Sequence, residues 1–450
     1  MDKIVSKITS GLKGEIVIPS DKSISHRAIM FSSLAKGETK ISNFSRGADC
    51  HSTLKVFSQL GIEHEFLSEQ ELILISDGKL KAPTKDLNCG NSGTTMRLVS
   101  GILAGQNFDS VLFGDESLSK RPMKRVIEPL SLMGAKIDSN EFKAPLKIYG
   151  QNLHGIEYNS KLASAQVKSC VLLAGLHAGE ETIFIEPYVS RDHTERMLKY
   201  LGADIQCDGA KTTIKRSELT AHDISICGDI SSATFFIVAG LIVPNSDFVI
   251  KNVGLNPTRT GILDVVKMMG GDVEILDKKL VSNEEVGDLR VRTSELHACE
   301  ISGSLIPRLI DELPVIAVLA TQAEGTTVIK DAQDLRNKES DRITAVVKEL
   351  RKFGADIDET PDGFIINGKT TLKGDCEVDT YHDHRLAMSM YIAGLISESP
   401  VKINEFQWVD ISFPEFESLV NTLIKYVKEH MKWFLVTDSL SILLNVFFPF

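Results

Sequence analysis

LLAGLHAGEETIFI (172–185) is an apolar helical run that ends in a small-residue turn and passes into an alternating strand. The phrase returns as SSLAKGETKISNF (32–44), GILAGQNFDSVLF (101–113), VAGLIVPNSDFVI (238–250), AVLATQAEGTTVI (317–329) and YIAGLISESPVKI (391–403). A second phrase, an apolar helix end, a glycine and a strand, falls between the copies: QLGIEHE (59–65), LMGAKID (132–138), YLGADIQ (200–206), MMGGDVE (268–274) and KFGADID (352–358). Its glycines, at 61, 134, 202, 270 and 354, stand 73, 68, 68 and 84 residues apart. A glycine there suits the left-handed position just past a helix, which penalises other side chains. The spacing predicts six units of about 70 residues, each strand, helix, strand, helix, strands. Six units divide naturally into two α/β domains of three, with a crossover near Cys227-Gly228-Asp229.

Working outward, the 450 residues are too many for one ordinary core. A net charge of −11 argues against a nucleic-acid binder, though a local basic cleft remains compatible with it. The seven cysteines form no CxxC pair, which removes zinc-site readings and fits unpaired thiols in a reducing cytoplasm. The first twenty residues contain no apolar signal-peptide core. Residues 431–450 (MKWFLVTDSLSILLNVFFPF) are apolar but interrupted by Thr437, Asp438, Ser439, Ser441 and Asn445. They read as an appended tail rather than a membrane anchor.

The leading helix of each unit opens with polar residues, at Asp21, Asn91, Ser164, Ser231, Asp311 and Asp383, spaced 70, 73, 67, 80 and 72 apart. Each opening taken alone is adequately explained as an N-cap. In register, however, equivalent helices of repeated units point the same way. Two facing domains would then converge several N-termini, each with roughly half a positive charge, on one cleft. Basic residues gather at the same places: Lys22 and Arg27, Arg97, Arg121, Arg191, Lys338 with Arg342, and Arg385. Such a cleft would hold phosphates and carboxylates, with arginine forks matching both.

Eight motifs lie at these positions: DKSISHR (21–27), GNSGTTMRL (90–98), SLSKRPM (117–123), ASAQVKS (163–169), GDISSA (228–233), IDELPV (310–315), NKESDR (337–342) and DHRLAM (383–388). In sequence and order they resemble those of the bacterial 3-phosphoshikimate 1-carboxyvinyltransferases (EPSP synthases), over about residues 7–425. The resemblance implies two three-repeat domains of βαβαββ units, with the active site between them. It places 20–227 in one and 1–19 plus 228–430 in the other, with 431–450 as the tail. It implies a transferase of chorismate and aromatic amino-acid biosynthesis, a cytoplasmic monomer acting without metal or organic cofactor on shikimate 3-phosphate and phosphoenolpyruvate. By the same resemblance Ser23, Arg27, Ser164, Gln166, Arg191 and Lys338 contact shikimate 3-phosphate, and Lys22 lies between both substrates. Gly93, Arg121, Arg342 and Arg385 contact phosphoenolpyruvate, with Gln166 touching that side too. Asp311 resembles the base for the 5-hydroxyl, and Glu339 is a candidate proton donor and acceptor at C3. From the residues alone, Asp311 also reads as a cap for the helix at Leu313, and Asp311 and Glu339 can exchange roles.

Two departures point to the family's second (class II) branch. The opening at 164 reads Ser-Ala-Gln, without a second serine, and Asp410-Ile411-Ser412-Phe413-Pro414 offers no lysine before Phe-Pro. The nearest alternative is UDP-N-acetylglucosamine 1-carboxyvinyltransferase, of the same repeat architecture. Its usual reactive cysteine would fall at Glu116, and no cysteine lies between 90 and 169. A non-catalytic anion binder would be expected to lack Asp311, Glu339 or several arginines. A related RNA-end cyclase is opposed by the acidic charge.

Overall fold

The computed structural model describes residues 1–426. The expected tail at 431–450 lies outside the described residues, as does the stretch 427–430.

All six repeated helix-to-strand phrases form as read. The leading helices are Lys22–Leu34, Gly93–Ala104, Ala165–Gly175, Ile230–Ile242, Leu313–Thr321 and His384–Gly394. Side chains cap four of them: Asp21 accepts from the Ile24 amide at 2.8 Å, Ser92 from Thr95 at 3.1 Å, Asp229 from Ser231 at 2.9 Å and Asp383 from Arg385 at 2.9 Å. Each such bond satisfies a donor that the helix itself leaves unpaired. The five inter-repeat glycines all have positive φ, from 79° to 93°, as a helix-ending left-handed residue requires.

Five units build a sheet with one spatial plan: a first strand parallel to the second, then an antiparallel hairpin. Leu87–Asn88, Ser110–Phe113, Lys143–Tyr149 and Lys136–Asn140 are one example in spatial order. The first and fourth units depart from consecutive assembly by exchanging their opening strands. Lys13–Val17, which precedes the first helix, pairs in parallel with Asp247–Gly254 of the fourth unit. Leu219–Thr220 and Ile224–Ser225, which precede the fourth helix, pair with Ala35–Ser42 of the first. The sixth unit is also incomplete in sequence order: Lys3–Val5 pairs antiparallel with Val401–Ile403, next to Cys376–Val378.

The chain therefore crosses between two groups of three units twice, side by side. Ser20 and Gly228 form an antiparallel bridge, the Asp21 amide donates to the Cys227 carbonyl at 2.7 Å, and the Asp229 amide to Pro19 at 2.9 Å. Two apolar cores flank the crossing. One runs from Ile24 to Cys227 with Val286 added; the other joins Val5–Ile18 to Ile230–Leu423. In both, the leading helices are buried almost all round, at the centre of their three units.

Candidate active site

A cleft of about 410 Å³ opens between the groups, large enough for a small metabolite. Ser164, Gln166 and Arg191 line it from the first group, and Asp311 and Lys338 from the second. A smaller cavity of about 50 Å³ next to the crossing takes Lys22, Asp229, Ser231, His384 and Arg385.

Asp311 is the meeting point. Arg191 Nη2 donates to its Oδ2 at 2.5 Å, Lys338 Nζ to Oδ1 at 3.0 Å, and Arg342 Nη1 lies 3.4 Å from Oδ1. Burial alone would raise its pKa; Lys338, Arg191, Arg385 and Arg342 outweigh burial and hold the carboxyl well below the usual range. The cap of the helix Leu313–Thr321 is Glu312, one residue on, so Asp311 is free of that structural duty.

Arg342 is buried, with Nε 2.8 Å from Asp383 Oδ2 and Nη2 2.8 Å from Glu339 Oε2. Glu339 is likewise held low: burial opposes its charge, but Arg342, His384 and Lys338 prevail. Burial keeps the neighbouring His384 ring neutral, pushing its pKa down to about 4. Arg385 Nη1 donates to the Asp311 carbonyl at 3.1 Å.

On the first group's side, Lys22 is paired with Asp49. Burial works against its charge, yet Asp49 and the more distant Glu339 raise its pKa overall. Arg121 Nη2 donates to Asn91 Oδ1 at 2.8 Å. A Cβ added to Gly93 would stand 2.8 Å from Arg97 Nη1 and 3.6 Å from Arg121 Nη1, so glycine leaves room for two guanidinium groups at that helix start. Gln166 accepts from Arg97 Nη1 at 2.8 Å and donates to Thr94 Oγ1 at 3.1 Å. Ser164 begins its helix without a capping bond from its hydroxyl. Ser23 shares the first helix start with Lys22. Arg27 lies deeper, buried and donating to Thr194 Oγ1 at 2.7 Å, Ser169 Oγ at 2.8 Å and the Ser23 carbonyl at 3.0 Å. Lys168, buried between Glu186 and Glu195, also donates to the Ser190 carbonyl at 3.1 Å and so steadies the loop carrying Arg191.

Two participants, Asp49 and Glu312, are missed by sequence reasoning, and two more, Arg97 and Asp383, are read there only as a helix-start cation and a helix opener, without a role at the site. Asp383 had a signal, as helix opener inside DHRLAM. Arg97 had a weaker one, inside GNSGTTMRL, but its partner Gln166 lies 69 residues away. Asp49 and Glu312 had none, since their partners are fixed only by the fold.

Helix starts lining these two cavities, with a bridged cluster of cations, define a two-domain α/β enzyme whose site suits small polyanions. The EPSP synthase (3-phosphoshikimate 1-carboxyvinyltransferase) family profile matches residues 6–419. A 3-phosphoshikimate 1-carboxyvinyltransferase of Petrotoga mobilis is 51% identical over 93% of this chain and 98% of its own. That of Bacillus subtilis is 53% identical over 92% and 98%. The structure of EPSP synthase from Acinetobacter baumannii superposes with a TM-score of 0.86 at 41% identity, covering 94% of this chain and 98% of that one. The chain belongs to the EPSP synthase family, and is thereby a transferase of the shikimate pathway. No described helix is long and apolar enough to cross a membrane.

Proposed function

We propose that the chain transfers the enolpyruvyl group of phosphoenolpyruvate to the 5-hydroxyl of shikimate 3-phosphate, releasing phosphate, in the cleft between its two groups of units. The observation that carries this reading is the Asp311 carboxylate held by Arg191 from one side and by Lys338 and Arg342 from the other. Shikimate 3-phosphate takes Ser23, Arg27, Ser164, Gln166, Arg191 and Lys338. Phosphoenolpyruvate takes Gly93, Arg121, Arg342 and Arg385, and Lys22 serves both.

Paired to three cations and close to a fourth, Arg385, Asp311 is a poor base. Anionic substrates claim those same cations as they bind, which frees the carboxylate and raises its basicity when the 5-hydroxyl arrives. The hydroxyl oxygen then bonds to C2 of phosphoenolpyruvate and Asp311 takes its proton, while Glu339, which takes up a proton from solvent once the substrates draw Arg342 and Lys338 away, delivers it to C3. In the second step C3 gives a proton back, the C2–C3 double bond reforms, and the C2–O bond to phosphate breaks. Lys22, Arg121, Arg342 and Arg385 offset the charge of the departing phosphate and the carboxylate.

We further assign 20–227 to one domain and 1–19 plus 228–430 to the other, a division supported by the two separate apolar cores. The protein acts as a cytoplasmic monomer, a state that light scattering of the eluted enzyme checks. The decisive assay measures phosphate release from phosphoenolpyruvate without added metal. Release with shikimate 3-phosphate and not with UDP-N-acetylglucosamine is expected; the opposite pattern would overturn the proposal.

A further inference from the structure

Behind Arg385 lies a line of buried polar groups that has no place in the chemistry above. Glu312 is 1% exposed, and its Oε1 accepts from Ser231 Oγ and lies 3.7 Å from Arg385 Nη1. Its Oε2 is buried without a hydrogen-bond partner. Ser231 Oγ accepts from Arg259 Nη2 at 2.6 Å, and that nitrogen also donates to Asp229 Oδ1 at 2.9 Å. Arg259 is 2% exposed, with Nε and Nη1 buried and unpartnered. Neither Arg259 nor Glu312 lines the main cleft.

Burying incompletely paired charges is costly, and an apolar pair of similar volume would pack there at less expense. Such groups are retained where their field does something. Arg385 otherwise holds to the protein through a neutral acceptor, the Asp311 carbonyl. Glu312 adds a buried negative charge 3.7 Å from the same nitrogen, so its attraction acts where the carbonyl bond already holds Nη1. Arg259 in turn fixes Glu312 through Ser231, and anchors the line to Asp229, the first helix cap after the crossing.

We infer that Glu312 and Arg259 are positioning residues for phosphoenolpyruvate, holding the Arg385 guanidinium through the line Arg259–Ser231–Glu312–Arg385. The inference rests on the assignment of Arg385 to phosphoenolpyruvate. The test is steady-state kinetics of the full chain carrying Glu312→Gln, which keeps shape and removes charge. The KM for phosphoenolpyruvate should rise about tenfold, with the KM for shikimate 3-phosphate within about twofold and kcat within about threefold. Ser231→Ala, which breaks the line without deleting a charge, should raise the same KM about threefold. The double variant Glu312→Gln with Arg385→Lys should be no worse than Arg385→Lys alone, because both act on one group. An unchanged phosphoenolpyruvate KM in Glu312→Gln would overturn the inference, as would an equal rise in both KM values. If that variant does not fold, an unchanged KM in Ser231→Ala overturns it. A response to Glu312→Gln together with none to Arg385→Lys would instead remove Arg385 from the site.

Discussion

Hydroxyl chains link the first half's leading helices, whose ion pairs are confined to Lys22 with Asp49 and Lys168 with Glu186 and Glu195, whereas ion pairs run between the helix starts of the last three units. In the first half, His26 Nδ1 meets Thr53 Oγ1 at 2.7 Å, Thr53 meets Thr95 at 2.7 Å, and Thr95 donates to Ser92 at 2.7 Å. Ser169 and Thr194 meet at 2.6 Å beside Arg27. In the second half, Asp229 holds Arg259, Glu312 faces Arg385, and Asp383 grips Arg342. An incoming anion has little to exchange with a neutral hydroxyl chain, whereas it competes directly for an arginine already paired to a carboxylate. The first half is thus mainly a preformed mould, with Lys22 and Asp49 as its exchangeable pair at the cleft, and the second a store of charge balanced by its own acids until substrate replaces them.

The contrast breaks first at Asp311. Asp311→Ala should leave binding of both substrates within about tenfold and cut turnover by about 100-fold or more, measured by phosphate release and equilibrium binding. Turnover at the parent level would remove the base and, with it, the special status of the second half. Gly93→Ala tests the mould. Its backbone is open to alanine, so the added Cβ acts through Arg97 and Arg121 alone. The KM for phosphoenolpyruvate should rise about tenfold while that for shikimate 3-phosphate moves less.

Thr53→Val sharpens the comparison from the stability side. It leaves His26 Nδ1 and Thr95 Oγ1 short of a partner, at about 1–3 kcal/mol in denaturant unfolding, with kcat unchanged in the folded enzyme. A variant that folded normally but lost activity would place chemistry where the fold has only support. The smallest effect concerns pH. Burial holds His26 neutral, with a pKa of about 3, and His177 and His384 at about 4, against 6.5 for a fully solvated histidine. The unfolded chain therefore binds more protons below pH 6.5, and stability falls as pH drops through that window towards 4. Two of these three histidines lie in the first half. Amide protection, corrected for the intrinsic pH dependence of exchange, should accordingly fall from pH 7 to pH 5 more in the helix Lys22–Leu34 than in Leu313–Thr321; the reverse order would show that the ionic half is the acid-sensitive one.

Much of this architecture is legible in the chain because it is local. A small-residue turn after an apolar run, and a glycine after a helix, are set by backbone conformation within a few residues, and all eleven copies form where the pattern puts them. The exchange of opening strands between the first and fourth units is not local. Lys13–Val17 and Ile224–Ser225 both read as ordinary strands, and only long-range pairing decides which sheet each joins. The site divides the same way. Lys22, Arg121, Arg191, Lys338, Arg342 and Arg385 could be picked out as charges at helix starts or in loops. The acids that hold them, Asp49, Glu312 and Asp383, follow from which helices the fold sets together. Position 311 shows the limit most clearly, since an acid beside a proline-led helix reads equally as a cap, until Glu312 is seen to occupy that place.

The strand Lys3–Val5 closes its sheet only against Val401–Ile403, whereas the first half is complete once Ile224–Ser225 is in place. On a ribosome the first half can therefore finish as soon as residues up to Ser225 are free, in chain order. The leading strand Lys3–Val5 is out of turn, waiting for nearly the whole polypeptide to emerge before its partner is available.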